Sequence, residues 1–400
     1  MGSSIDIFET IEDKKSWFNI KRCKINGIPF EKPEKCLDIK TLEQDAYRNL
    51  RDGFKFYEVS KIVRYKNLLN LYNEDDGEGI DKFFCKRDWL SKQPNVINFT
   101  FQFNPFSYIA NIEKMSWFFN QYYPYARFIL TVPNIRMKCT YEHKPVQIIS
   151  FEDYMTFVDS AYKILDDKNN KPIFVPISMK YLGIRKLTEL IQHYLKRQYF
   201  YFWFDFEGQP INERAIGKLR HVFDLLKKSE NFGNTLSYFT NIRREVLSNS
   251  NELTSVASDA LSAVAGANLV GVNREPPKYQ PKNNNKSGKE DETIRVPKEV
   301  DPSHKARIFS RETYYYVKTT DERLFSPRKY VSLNAAKLNA EFSAQSEYFL
   351  ENQNIDTLLN TKIVFKDEKA GNILKELTSK PPEQEKVRES NPDLTDFLDF

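Results

Sequence analysis

Four segments between Lys171 and Pro277 repeat one pattern: a short apolar run, a polar or charged exit, then a stretch of helical length. The runs are Pro172–Ser178 (PIFVPIS), Tyr199–Asp205 (YFYFWFD), Thr235–Asn241 (TLSYFTN) and Asn268–Asn273 (NLVGVN). A strand that is apolar on both faces belongs in a parallel sheet covered by helices on each side. Parallel neighbours also need a long crossover between them, which the helical stretches supply. The repeat therefore predicts β/α units, with the polar strand exits as the place where a site would gather.

The pattern extends upstream. Val96–Phe103 and Arg127–Val132 read as strands, followed by helices over Tyr108–Tyr122 and Phe151–Leu165, the second capped by Ser150. Further helices are expected over Ile184–Lys196, Asn212–Lys228 and Glu252–Ala265, with Gly266 as a terminating glycine. Phe54–Val59 alternates like a strand, Ser60–Tyr72 has helical spacing, and Asn26-Gly27 is a hairpin turn signal. Six strands lie between residues 96 and 273, and two more from the N-terminal region would close a barrel. The expected fold is a TIM-type (β/α)8-like barrel over residues 1–277, with a doubly wound α/β sheet as the alternative. The barrel is preferred because the alternation is long and no Gly-rich phosphate fingerprint follows the early strands.

Residues 278–305 lose nearly all large apolar side chains and read as a flexible linker or loop. Residues 306–379 are expected to form a helical C-terminal module, and residues 380–400 a disordered acidic tail. The end of that tail, Asp393–Phe400, mixes acids with hydrophobes in the manner of a docking peptide for a protein partner. The small net charge of +5 permits a nucleic-acid or nucleotide partner without demanding one. The four cysteines are widely spaced and match no zinc motif, and no HExxH, GxSxG or P-loop pattern occurs. No apolar run approaches the ~20 residues needed to span a bilayer. A soluble cytoplasmic protein without a membrane partner is expected.

The strongest candidate chemistry lies at Asp205-Phe206-Glu207-Gly208. Strand alternation points Asp205 and Glu207 to one side, where two carboxylates can differ in pKa as acid–base work requires. The competing reading is an ion pair and a helix cap. Asn273, Arg274 and Glu275 leave the last strand, with Arg274 as an anion clamp and Glu275 to hold it, or else as a pair sealing the rim. Asn241, Arg243 and Arg244 leave the preceding strand; adjacent arginines point different ways, so one of the two can face a ligand. Ser258-Asp259 reads as a cap, and Lys180 as a solvated cation or an amine nucleophile. No cofactor is called for, and no metal motif is present. Mg²⁺ between Asp205 and Glu207 is compatible with the sequence.

The stretch Asp259–Pro277 (DALSAVAGANLVGVNREPP) is similar in layout to the last β/α unit of the tRNA-guanine transglycosylase family, where a helix, a glycine, a short strand and an arginine-bearing exit follow one another. The similarity would span residues 96–355. It implies a barrel acting on nucleobases. The departures are specific. Val270-Gly271-Val272 stands where that family has its aspartate nucleophile, the Cys-rich zinc site is missing, and Asn104-Pro105-Phe106-Ser107 replaces a serine–glycine–glycine signature. Asp205 or Glu207 would have to take over the chemistry.

Together these features lead to the expectation of a barrel enzyme, transglycosylase-like, acting on a nucleobase, nucleotide or nucleic acid through a carboxylate pair and an arginine clamp. The rival is a non-enzymatic nucleic-acid-binding or assembly protein on the same scaffold, marked by binding that falls steeply with salt.

Overall fold

The computed structural model describes residues 5–40, 42, 50, 53–74, 76–86, 93–108, 112–141, 144–168, 171–246, 254–274 and 306–379. Its centre is a closed ring of eight parallel strands. Residues 34–38 open it, as Glu34–Lys35 and Leu37–Asp38, followed by Tyr57–Val63, Asn95–Phe101, Ile129–Thr131, Ile173–Ser178, Tyr201–Asp205, Leu236–Thr240 and Leu269–Val270. Each pairs with the next in parallel register. The first strand pairs on one side with the second, Leu37 with Tyr57, and on the other with the eighth, Leu269 with Glu34. That second pairing removes both sheet edges, so the fold is an α/β barrel and the doubly wound alternative is excluded.

Alternation along each strand sorts the side chains. In the sixth strand Phe202 and Phe204 point outward into the helix-packed core, together with Phe206 beyond it. Trp203 points inward and Asp205 reaches the central cavity. The outward aromatics bind the helices to the barrel: Phe99 meets Phe118 and Tyr122, Phe202 meets Tyr194, and Phe204 meets Phe223. Each such burial is worth about 1.5–3 kcal/mol. With stability supplied outside the ring, inward positions near the mouth are free to be polar.

The interior is graded from dry to polar. At the strands' N-terminal end the antiparallel sheet Ile5–Glu12, Asn19–Ile25 and Ile28–Phe30, turning at Asn26-Gly27, stoppers the barrel. Its Cys23, Ile25 and Phe30 pack with Phe56, Phe128, Phe174, Trp203, Leu236 and Leu269. Higher up, the buried Glu58 accepts hydrogen bonds from Asn98 Nδ2 (2.6 Å) and Thr240 Oγ1 (2.8 Å) and from the backbone of Val272. A Cβ on Gly271 would overlap that carboxylate, which is why the eighth strand carries glycine there. Lys35 donates to the Gly271 carbonyl alongside.

Helices Phe151–Asp166, Ile184–Lys196 and Glu213–Lys228 form where their apolar spacing indicated, and Ser150 and Asn212 cap theirs by accepting from Asp153 and Ala215. The helix expected over Glu252–Ala265 does not form. Thr254–Ala257 is instead a strand, paired antiparallel to Tyr315–Lys318 and joined by Glu245–Val246 and Arg307–Phe309 in a four-stranded sheet. The run Ala260–Ala267 that follows is buried on every side, so it has no amphipathic face to favour a surface helix. Gly266 does end this segment with a positive φ of 102°.

The region expected as a helical module thus begins with two strands before helix Pro327–Asn352. That helix lies against the first barrel strand, where Asn339 Oδ1 accepts from the Lys35 backbone at 2.9 Å, and it buries Leu338, Phe342 and Phe349. The expected linker and acidic tail, residues 278–305 and 380–400, lie outside the described residues.

Candidate functional site

The strands' C-terminal ends surround a cavity of about 290 Å³ lined by Ile62, Thr100, Arg136, Asp205, Glu207, Gly208, Asn241, Arg243 and Arg274. Thr100 and Asp205 stand at the ends of the third and sixth strands, and the other polar residues lie beyond the strand ends.

Asp205 ends the sixth strand with no exposed surface. Thr100 Oγ1 (2.8 Å) and Asn134 Nδ2 (2.9 Å) donate to its Oδ2, while Asn241 Nδ2 (2.8 Å) and the Glu207 N–H (3.0 Å) donate to its Oδ1. Four donors occupy the acceptor positions of an ionised carboxylate and hold its charge in place. The amides are themselves oriented. Tyr154 donates to Asn134 Oδ1 at 3.1 Å, and Ser60 donates to Asn241 Oδ1 at 3.2 Å, so each NH₂ is turned toward Asp205.

Glu207 follows in a left-handed conformation, φ 49°, and Gly208 continues with φ 82°. For a glutamate that backbone costs about 1–3 kcal/mol, a strain that clusters at functional sites. Asn241, at the next strand's exit, is also left-handed with φ 56°. The turn brings the Glu207 side chain back over the mouth, where only 1% of it is exposed. Ser178 Oγ donates to Oε1 at 2.6 Å, and Asn134 Nδ2 stands 3.5 Å from the same oxygen. One amide therefore spans both carboxyls.

Glu207 Oε2 is buried without a hydrogen-bond partner among the described residues, and so is Arg136 Nε. The two atoms are 3.7 Å apart. Burial pushes the Glu207 carboxyl up to about 8; the Asp205 charge adds to this, against smaller opposing effects of Ser178 and Arg136. At neutral pH the site thus pairs a neutral carboxylic acid with a fixed carboxylate.

Arg243 and Arg274 stand in register on the short parallel pair Ile242–Arg243 and Asn273–Arg274. Arg243 Nε donates to the Gly208 carbonyl at 3.0 Å. Its neighbour Arg244 faces away, ion-paired with Glu245 and stacked 4.5 Å from the Tyr316 ring centroid. Of the residues singled out in the sequence, Asp205, Glu207, Asn241, Arg243 and Arg274 are brought together. Asn273 is not: its Nδ2 donates to Asp259 at 2.5 Å, away from the cavity lining. Glu275 lies outside the described residues. Ser258 accepts from the Ile211 backbone, and the Lys180 amine sits 5.2 Å over the Tyr181 ring.

Thr100, Asn134, Arg136 and Ser178 were missed. For Thr100 and Ser178 the signal was present: Asn98 and Thr100 alternate with Ile97, Phe99 and Phe101, and Ser178 closes an otherwise apolar strand.

Toward Mg²⁺ the pair offers little: N–H and O–H donors already fill the acceptor positions of Asp205. Among the described residues no three His, Cys, Asp or Glu side chains gather as metal ligands, and no helix is long and apolar enough to cross a membrane.

No family model matches the chain, and no curated protein does. Among solved structures it is similar to an endo-β-1,4-mannanase double mutant of Cellulomonas fimi, at 9% identity and TM-score 0.37, over 61% of this chain and 65% of the mannanase. It is similar to a GH26 β-mannanase of Bacteroides ovatus at 14% identity and TM-score 0.36, over 61% of this chain and 80% of the other. For a mutant tryptophan synthase α-subunit of Pyrococcus furiosus the values are 11%, 0.31, 61% and 88%.

Proposed function

We propose that this protein is a barrel enzyme working by general acid–base catalysis on a small anionic substrate. The observation that carries the reading is the Glu207 carboxyl. It is buried beside the ionised Asp205, turned into the mouth by a left-handed backbone, and its Oε2 lacks a hydrogen bond, as does Arg136 Nε, 3.7 Å away. A substrate oxygen placed there would receive the Glu207 proton and a hydrogen bond from Arg136 in one step. Asp205 orients the site and favours the protonated form of its neighbour; its saturated oxygens leave it no role as a nucleophile. A nucleotide would be one member of this class, and the cavity of about 290 Å³ admits a small molecule or a single unit of a longer one.

The test is turnover on a panel of anionic metabolites with wild-type protein and Glu207→Gln. The variant should lose about 10²–10⁴-fold in kcat, the usual share of one acid–base group, while keeping its fold. A Glu207→Gln protein of undiminished activity refutes the assignment.

A further inference from the structure

We infer that the anion this pocket takes is a phosphate dianion, carried as the monoester group of a small substrate and seated on Arg243 and Arg274. The inference rests on the anionic-substrate reading above and names its class. Its first support is the pairing of the two arginines. Parallel strands lie about 4.8 Å apart, and residues in register share a face. Arg243 and Arg274 are such partners, and both line the cavity. Like charges set side by side destabilise a sheet unless something compensates them. Among the described residues neither has an ion-pair partner; Arg243 gives only Nε to a carbonyl, which leaves the two terminal nitrogens of its fork for a ligand. Arg244, one residue on, shows the contrast, with Glu245 neutralising it on the opposite face.

The second support is the balance of charge. Three arginines line the cavity with one fixed carboxylate, Asp205, and one carboxyl held neutral, Glu207. The surplus is positive by more than a single charge, which suits a dianion better than a monocarboxylate. Planar guanidinium forks match phosphate oxygens in pairs. The exits of the seventh and eighth strands, which carry these arginines, are also where barrels commonly seat phosphate.

The experiment measures the unfolding temperature of the full chain against increasing inorganic phosphate, with chloride and succinate series at matched ionic strength and pH 7.5. Wild type should show a saturable rise with phosphate, and Glu207→Gln should show the same rise, since it keeps the neutral shape of the acid. Arg243→Gln and Arg274→Gln should each weaken the apparent affinity roughly tenfold or more. If a glutamine variant is unstable, Arg243→Lys and Arg274→Lys keep the charge, lose the fork, and should still weaken binding. No rise beyond chloride overturns the inference. A rise that survives all four arginine substitutions marks an adventitious ion only, and an equal or larger response to succinate assigns the site to dicarboxylates. Phosphate binding that persists alongside full Glu207→Gln activity would sink the acid–base reading and leave this one standing.

Discussion

Glu207 and Asp205 are two carboxyls on one turn with opposite fates, and burial alone does not separate them, since both are inaccessible. What separates them is donors: Asp205 has four, whereas Glu207 has a strong one from Ser178 and an unmet oxygen. The proton on Glu207 is bound in the folded state up to about pH 8, but only to the ordinary carboxyl range when unfolded. Its contribution to stability is therefore largest at acid pH and is lost as the pH rises through that window. Glu207→Gln removes the titration, so this variant should melt at or above the wild-type temperature at pH 8.5 while losing activity. Asp205→Asn should do the reverse, costing about 2–4 kcal/mol in denaturant titrations because an amide cannot accept from four donors. An Asp205→Asn protein as stable as wild type would show that these bonds contribute little.

At the scale of elements, the eighth strand and the Glu245 sheet make the sharpest claims. Gly271 sits against the Glu58 carboxylate, so Gly271→Ala should cost about 1–3 kcal/mol or more, with no glycine-type φ to blame. Glu245 is wholly buried between Arg244 and Arg307 and accepts from Ser255. Removing it takes away the acceptor that Arg244, Arg307 and Ser255 share, and Glu245→Ala should cost about 1–3 kcal/mol by chemical denaturation. The barrel elements were legible in the sequence because fully apolar runs and capped amphipathic helices are local signals; Ile184–Lys196 lies where its spacing placed it. Thr254–Ala257 was not legible, because its strand partner, Tyr315–Lys318, is distant in sequence and only tertiary pairing tells it from a helix start. At the site, strand-end carboxylates and arginines could be found from alternation. Asn134 and Arg136 were hidden because they follow the three-residue fourth strand, on and just after the two-residue pair Asn134–Ile135, and segments so short display no period.

At the scale of the molecule, the barrel separates its tasks along its axis. The N-terminal sheet closes one end with an apolar stopper, the outer aromatics hold the helices, and polar residues are concentrated toward the open mouth. The long helix Pro327–Asn352 packs against the first strand, and Tyr315–Lys318 completes a sheet begun after the seventh, so the C-terminal elements belong to the same cooperative structure. Far-UV circular dichroism and the fluorescence of the buried Trp17 and Trp203 should therefore report one coincident unfolding transition; separated midpoints would show that these elements melt independently.

A neutral acid held beside a fixed carboxylate is the centre of the proposed site, and testing for it most directly needs no substrate. Infrared difference spectra of wild type against Glu207→Gln, recorded across pH 5–10, isolate the Glu207 carboxyl stretch. The expected result is a protonated band at pH 7 that disappears as the pH rises through about 8. A carboxylate band already complete at pH 6 would contradict it.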